Sequence, residues 1–319
     1  FVVINTVKTR KQLFDVLTVF AVSGALVCLY GVAQYIFGWD TSAAWVDEEM
    51  FSDIKMRVYS TLENPNVLGE YILLVLPVCI GLVWQKPKKL AKLVYIAMAG
   101  IMFATLILTF SRGCWIGFMI TAGLFVTFVC GKIWGLALIA LPFLPMVLPE
   151  SIINRIASVG DMKDSSTSYR VYIWYGSLAM VKDFWASGIG PGTQAFKSVY
   201  PFYSYSGIVA PHSHNMFLQI LVESGIVGIG VFLTTIVMFF KKLINGYQST
   251  SGKGSKLGAM IVAIGAGVAG FCVQGMFDNC FYNYRVFLIF WIVLALGIAA
   301  VYIAKGEKEE SAVKAVEEE

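Results

Sequence analysis

The chain's two histidines stand together in Pro211-His212-Ser213-His214-Asn215, directly before a long apolar run. An imidazole exchanges protons near neutral pH, so either ring can serve as a base or as a donor to phosphate. A structural histidine at a helix entry is the plainer reading of the same residues. Their i,i+2 spacing, without a nearby cysteine or an obvious third ligand, is a weak metal signal. No metal and no cofactor is expected. The arginines form a second group of candidates. Five of the six, Arg57, Arg112, Arg155, Arg170 and Arg285, lie in the same set of polar connections as the histidines. A guanidinium binds phosphate or carboxylate through a rigid fork, which lysine lacks, so these arginines suggest an anionic ligand. For Arg57 and Arg155, snorkelling or ion pairing with nearby acids is preferred.

Three turns could complete an anion site. Ser213 or Asn215 can cap the helix that follows the histidines, after a segment that Pro211 favours as extended. Ser111-Arg112-Gly113 repeats the arrangement, with Ser111 as the cap, and Asn64-Pro65-Asn66 offers a third helix start. A helix N-terminus presents free N–H groups and a positive dipole end. Several of these beside arginines could hold a pyrophosphate without metal; equally, Ser, Asn and Gly turn the chain in most connections. Beyond Asn215, Gly225 and Gly228 would allow close packing against a neighbouring helix. Glu223 is costly in lipid and should face protein or water. Gly188, Gly190 and Gly192 lack GxGxxG spacing, which excludes a dinucleotide fold.

The elements that position these residues are membrane helices. Only 14% of the 319 residues are charged and mean hydropathy is +0.73, against roughly 25% charged in soluble domains. Long apolar runs predict an all-α polytopic membrane protein with about eight spans: 13–37, 68–85, 93–110, 114–130, 133–149, 216–240, 258–280 and 285–304. The first run continues as a span, so no cleavable signal peptide is expected, and because the chain opens on Phe1 rather than Met, upstream helices are expected. The domains read as N-terminal helices over 1–149, a large loop over 150–215, C-terminal helices over 216–304 and a solvated charged tail over 305–319. Within the loop, Tyr169 to Asp183 has the spacing of an amphipathic helix on the membrane surface. The six cysteines lie in or beside apolar runs and read as packing residues.

If the spans alternate, one face collects Lys8, Arg10, Lys11, Lys86, Lys88, Lys89, Lys92, Lys132, Lys241, Lys242, Lys253, Lys256, Lys305, Lys308 and Lys314, which is 15 of the 24 basic residues. The positive-inside rule makes that face cytoplasmic. The 38–67 loop, Ser111-Arg112-Gly113, the 150–215 loop and the turn from Asp278 to Arg285 are then outside, with Arg170 approaching Arg112 and His214.

The motifs together resemble the O-antigen ligase and polymerase superfamily, the Wzy_C-type membrane glycosyltransferases. His214-Asn215, nine residues, Gly225, two residues and Gly228 resemble its H-[NSQ]-x9-G-x2-[GTY] signature. Thr109-Phe110-Ser111-Arg112-Gly113 with Trp115 resembles its SRG-x-W turn. Arg170 with Trp174, then Gly188-Ile189-Gly190-Pro191-Gly192, resembles its large outer loop, and Asn64-Pro65-Asn66 before a span ending at Pro77 is similar too. The resemblance runs from about residue 55 to 300. It implies transfer or polymerisation of a glycan from an undecaprenyl-diphosphate carrier to a glycan, lipid or protein acceptor, without metal, at the outer face of the cytoplasmic membrane. Carried over, Arg112 and Arg170 would stabilise the departing diphosphate and His214 would be the base or positioning group for the acceptor hydroxyl. Asn215, Ser111, Asn66, Arg285 and Glu223 are candidate substrate contacts; His212 has no counterpart in the signature and would be a helper. The partners expected are the lipid-linked glycan, the acceptor and the bilayer, with no nucleic acid. A flippase or transporter of lipid-linked glycans is the alternative, but would carry its charges near the bilayer midplane. A protein O-oligosaccharyltransferase and an inactive envelope scaffold are further readings. The orientation has a direct test: a cysteine at position 165 should react with an impermeant thiol reagent from outside intact cells, and labelling only after lysis would invert it.

Overall fold

The computed structural model describes residues 1–39, 54, 56–85, 88–140, 149–250 and 255–317, and all regular structure among them is helical. Twelve α-helices follow in order: α1 (Val2–Thr6), α2 (Arg10–Phe37), α3 (Pro65–Val83), α4 (Lys89–Leu108), α5 (Arg112–Val129), α6 (Ile133–Ala140), α7 (Glu150–Ala157), α8 (Ser165–Phe184), α9 (Thr193–Val199), α10 (Met216–Ser249), α11 (Lys256–Gln274) and α12 (Tyr284–Glu317). Seven of them, α2 to α5 and α10 to α12, are long and apolar enough to cross a membrane. The chain is an all-α polytopic membrane protein. Of the expected span 133–149, α6 is described, and residues 141–148 lie outside the described residues. The basic-loop residues Lys86 and Lys253 lie outside them as well.

Local chemistry sets the helix starts. Thr9 and Gln12 form a capping box on α2. Asn64 accepts from the backbone of Asn66 and Val67, with Pro65 in the first turn, and Asn215 accepts from Leu218 N at 2.9 Å. Ser111 occupies the cap position of α5, but its side chain makes no capping bond. Two expected boundaries move. The tail over 305–319 is not separate, because α12 runs on to Glu317, and Glu307 pairs with Arg10 at 3.6 Å. The apolar run thought to reach residue 280 stops as a helix at Gln274, so that Asp278 falls in a turn.

The centre of the bundle is α3 and α11, whose apolar windows are 83% and 78% buried, against 28% for α2, α4, α5 and α10. Small residues make this possible. A Cβ at Gly270 would lie 2.3 Å from Gly117 O, so α11 and α5 touch backbone to backbone. Thr121 Oγ1 reinforces that seam by donating to Ala266 O at 3.0 Å.

The helices alternate between two ends. Arg10, Lys11, Gln85 and Lys256 meet at one end, the basic end, where the Tyr247 hydroxyl also donates to Phe128 O at 3.0 Å. The starts of α3, α5, α10 and α12 meet at the other, where both histidines lie. The 19 residues of α3 separate these ends by about 28 Å, one hydrocarbon thickness. Most of residues 150–215 is helical and packs over the histidine end. As expected, Tyr169 to Asp183 is helical, within α8, and it buries Ile173, Gly176, Ser177 and Met180 along one face.

Gly225 joins this cover to the bundle. It breaks α10 with φ 64° and ψ −166°, which frees the carbonyls of Val222 and Glu223. Ile189 N and Gly190 N donate to those carbonyls at 2.9 and 3.0 Å, and Ile226 N donates to Trp185 O at 2.8 Å. The expected role of Gly225, close helix–helix packing, is therefore corrected: only a residue without Cβ fits, because a Cβ would lie 2.3 Å from Ala186 O. Gly225→Ala should lower stability by roughly 1–3 kcal/mol from backbone strain, with the clash added. Gly230→Ala, in the same helix with open space around its Cβ position, should not. Thermal melts in detergent measure both, and equal melting temperatures for the two variants would refute the docking role.

Candidate active site

The turn between α11 and α12 places Asp278 beneath the histidine segment. Its Oδ1 lies 2.9 Å from His214 Nδ1 and accepts from Asn279 N at 2.9 Å. Its Oδ2 accepts from Asn66 Nδ2 at 3.0 Å and lies 3.9 Å from an Arg170 nitrogen. Asn66 in turn accepts from Arg57 at 2.7 Å, and Arg57 Nε donates to Thr109 O at 2.8 Å. Three distant stretches of chain, at Asn66, Arg170 and His214, thus converge on one carboxylate. Burial alone would raise its pKa, but the charge and hydrogen bond of His214 and the charge of Arg170 hold it well below the ordinary carboxylate range.

This pairing sets the histidine's chemistry. In the neutral tautomer whose Nδ1–H donates to the carboxylate, Nε2 would keep its lone pair, the arrangement of a carboxylate-oriented base. The segment is not uniformly extended, as Pro211 suggested: His214 sits in the left-handed region at φ 48°. Three bonds hold it there. Trp174 Nε1 donates to His214 O at 3.3 Å, His214 N donates to His212 Nδ1 at 3.2 Å, and Asp278 holds the ring. His212 lies 4.1 Å from His214 and 4.5 Å from Tyr282, ring to ring. Burial, then the neighbouring His214, push His212 down to about 3, so it is neutral.

Beside the dyad opens a cavity of about 410 Å³, walled by Arg57, Arg155, Arg170, Asn66, Glu70, Tyr169, His212, His214 and Asp278. Arg170 Nε is buried there without a hydrogen-bond partner. Burial, with Arg155 and Arg170 nearby, pushes Arg57 down to about 9, the mark of crowded positive charge. His212, His214 and Asp278 do bring ligand atoms within 4.8 Å of one another. Those atoms are already engaged with each other and with neighbouring backbone N–H groups, and Arg57, Arg155 and Arg170 line the same cavity, beside the carboxyls of Glu70, Asp164 and Asp278. The donor set fits an anion better than a cation.

The structure brings His214, His212, Arg170 and Asn66 together as the sequence proposed. Arg112 stands apart, in an adjoining cavity of about 310 Å³ that it shares with Ser111 and Arg170. Its fork is occupied: it donates to Ser158 O and Oγ at 2.8 and 2.7 Å, to Asp164 at 2.7 Å and to Ser166 Oγ at 2.6 Å. Arg155 lies 3.5 Å from the other oxygen of Asp164. Arg285 donates to Thr61 O at 3.0 Å and reaches neither cavity. Asn215 is spent on the cap and on Met276 O at 3.0 Å. Glu223 lies in a separate cleft. Sequence reasoning missed Asp278 and Asp164; the signal available for each was an acid in a connection rich in arginine.

Residues 97–233 match the family model Wzy_C, described as O-antigen ligase. The resemblance drawn from the motifs is borne out over this segment, which runs from within α4 to beyond the break in α10. It contains Arg112, Arg170 and His214 but neither Asn66 nor Asp278. At the level of the family, the match over this segment supports a membrane glycan ligase or polymerase. No curated protein matches the chain.

Asp164 also caps α8, accepting from Thr167 N at 2.9 Å. Burial opposes its charge, but hydrogen bonds from Arg112 and Ser166 and the charge of Arg112 outweigh it and hold the carboxyl at about 2. Its pKa is lower folded than unfolded, so its contribution is complete above about pH 4 and is lost as pH falls towards 2, by about 2 kcal/mol. Asp164→Asn should be destabilised at pH 6 and should lose less further stability on acidification than the parent. Parallel acid slopes in melts of the two proteins would show that Asp164 does not carry the effect.

Proposed function

We propose, on the premise of the O-antigen ligase match, that the chain transfers or polymerises a glycan from an undecaprenyl-diphosphate carrier at the non-cytoplasmic face of the cell membrane. The observation that carries this reading is the His214–Asp278 pair at the edge of a cavity lined by arginines. A base beside an anion-binding wall is what displacement of a diphosphate needs. In the reaction, the acceptor hydroxyl oxygen attacks the anomeric carbon of the donor sugar. Its proton passes to His214 Nε2 as the new C–O bond forms. The bond from that carbon to the diphosphate breaks, and the carrier leaves with the electron pair. Arg170, Arg57 and Arg155 supply positive charge where negative charge accumulates, so no metal is required of this mechanism. Asp278 orients His214 and stabilises the imidazolium that forms.

Arg112 takes a different part from the one its motif implied. With its fork on Asp164, Ser158 and Ser166, it acts as a positioning residue that holds α7 and α8 over the site. A transporter is the less favoured reading. The charged residues gather where helices begin, at one end of the bundle, whereas a carrier needs its site near the midplane. Ligase, polymerase and protein glycosyltransferase share this chemistry.

His214→Ala should abolish transfer while the protein still inserts. Asp278→Asn should lower kcat by about 10²–10⁴-fold, the range of a misoriented base. The measurement is turnover of extracted lipid-linked glycan by the purified chain in nanodiscs. Full activity of His214→Ala would remove histidine from the mechanism. Deleting the gene and examining the surface glycan separates the outcomes: single repeats retained without long chains mean polymerase, and long chains left on the carrier mean ligase.

A further inference from the structure

A second cleft, of about 520 Å³, shares Asn279 and Tyr282 with the arginine cavity. Its composition is different. Among the described residues, no lysine or arginine lines it. One wall is Gln219 and Glu223, four residues apart on one face of α10; the other is aromatic, with Tyr282, Tyr284 and Trp291. Tyr282 and Tyr284 are 50% and 66% exposed; His212 packs on Tyr282 and the Arg285 guanidinium lies over Tyr284, which leaves the solvent-facing part of each ring for a ligand. Gln219 is fixed at both ends of its amide: Oε1 accepts from Ser213 N at 2.7 Å, and Nε2 donates to Glu223 Oε1 at 2.8 Å. The Glu223 carboxylate is thereby held in place and tied to the residue between the two histidines.

Each candidate ligand meets this lining differently. A phosphate would face Glu223 with no cation to offset it. A polyprenyl tail would lay hydrocarbon against the Glu223 carboxylate and the Asn279 amide, whose remaining polar atoms it cannot satisfy. A sugar ring suits both walls, since its C–H face lies on aromatic rings and its hydroxyls donate to carboxylate and amide oxygens. We propose that this cleft is a saccharide subsite, with Glu223 and Asn279 reading ring hydroxyls and Tyr282, Tyr284 and Trp291 forming the platform. The proposal rests on the transferase reading and deepens it: the glycan lies beside the dyad, and the diphosphate lies among the arginines.

The test uses the full chain in nanodiscs with Glu223→Gln and, separately, Tyr284→Ala, an exposed position whose loss should leave the fold intact. Three probes are titrated: sugar-free undecaprenyl diphosphate, the lipid-linked glycan, and the free oligosaccharide released from it by mild acid. Both variants should bind the sugar-free carrier as the parent does. Both should bind the free oligosaccharide, followed by saturation-transfer NMR, roughly tenfold to a hundredfold more weakly, the loss of a hydrogen bond to a charged acceptor or of a stacking face. In turnover, a raised KM for the carrier-linked glycan assigns the subsite to the donor, and a raised KM for the acceptor assigns it to the acceptor. Unchanged oligosaccharide binding in both variants, or weakened binding of the sugar-free carrier, overturns the proposal. A parent protein that binds the oligosaccharide yet transfers nothing would sink the transferase reading and leave the subsite standing.

Discussion

Asp278 lies in the turn between α11 and α12 with its side chain about nine-tenths out of solvent, and a charge so placed must be matched from within the protein. The match comes from afar: Asn66 at the start of α3, Arg170 on α8 and His214 before α10. Removing any of these leaves a buried carboxylate short of a partner, so the energetic need of one anion fixes where four stretches of chain may lie. The turn itself follows from the same need. Had α11 continued along the apolar run, Asp278 would point into the bundle at a helical position. Ending α11 at Gln274 instead lets Met216 N donate to Gly275 O and to Asp278 O, at 2.7 and 3.0 Å.

The cover over the site depends on a second carboxylate. Asp164 caps α8 and collects Arg112 from the start of α5 and Arg155 from α7. Arg170 follows less than two turns later on α8, so the anchored end of that helix and its site-facing arginine move as one body. At its far end the same helix leads into the backbone bonds with the break at Gly225. A helix held at both ends cannot slide over the histidines without breaking buried ion pairs, and this turns a nominal loop into a wall.

Much of this was legible in the sequence, and the failures have physical causes. Apolar run length revealed the membrane helices, because each crossing must satisfy its own backbone. The histidine segment and Arg170 stood out because ionisable residues are rare in so apolar a chain. Arg112 was recognised, but its partner was not: an arginine's motif does not tell that its fork meets an internal carboxylate 52 residues away. Asp278 was passed over because it follows His214 by 64 residues, and pairing at that distance leaves no local pattern. Gly225 was assigned to helix packing because its spacing suits both roles; only its positive φ and the approach of Ala186 separate them.

Charge placement explains why the two cavities differ. Asp164 is shared between Arg112 and Arg155, and Asp278 is divided between His214 and Arg170, so each of these two carboxylates faces two cationic partners when His214 is protonated. Burial, and then the charges of Arg155 and Arg170, drive Arg57 down to about 9. A diphosphate entering would relieve that repulsion, and a diphosphate leaving with added charge would relieve it further, which is the differential that lowers a barrier. The adjoining cleft carries the opposite bias, since Glu223 stands there with no lining cation among the described residues. A ligand with an anionic half and a neutral hydroxylated half would therefore be oriented by electrostatics before any contact is made. The boundary between the two cavities, at Asn279 and Tyr282, lies against His212 and its neighbour His214. For a glycosyl diphosphate, the bond that joins its two halves is the one to be broken, so sorting the halves also presents that bond to the base.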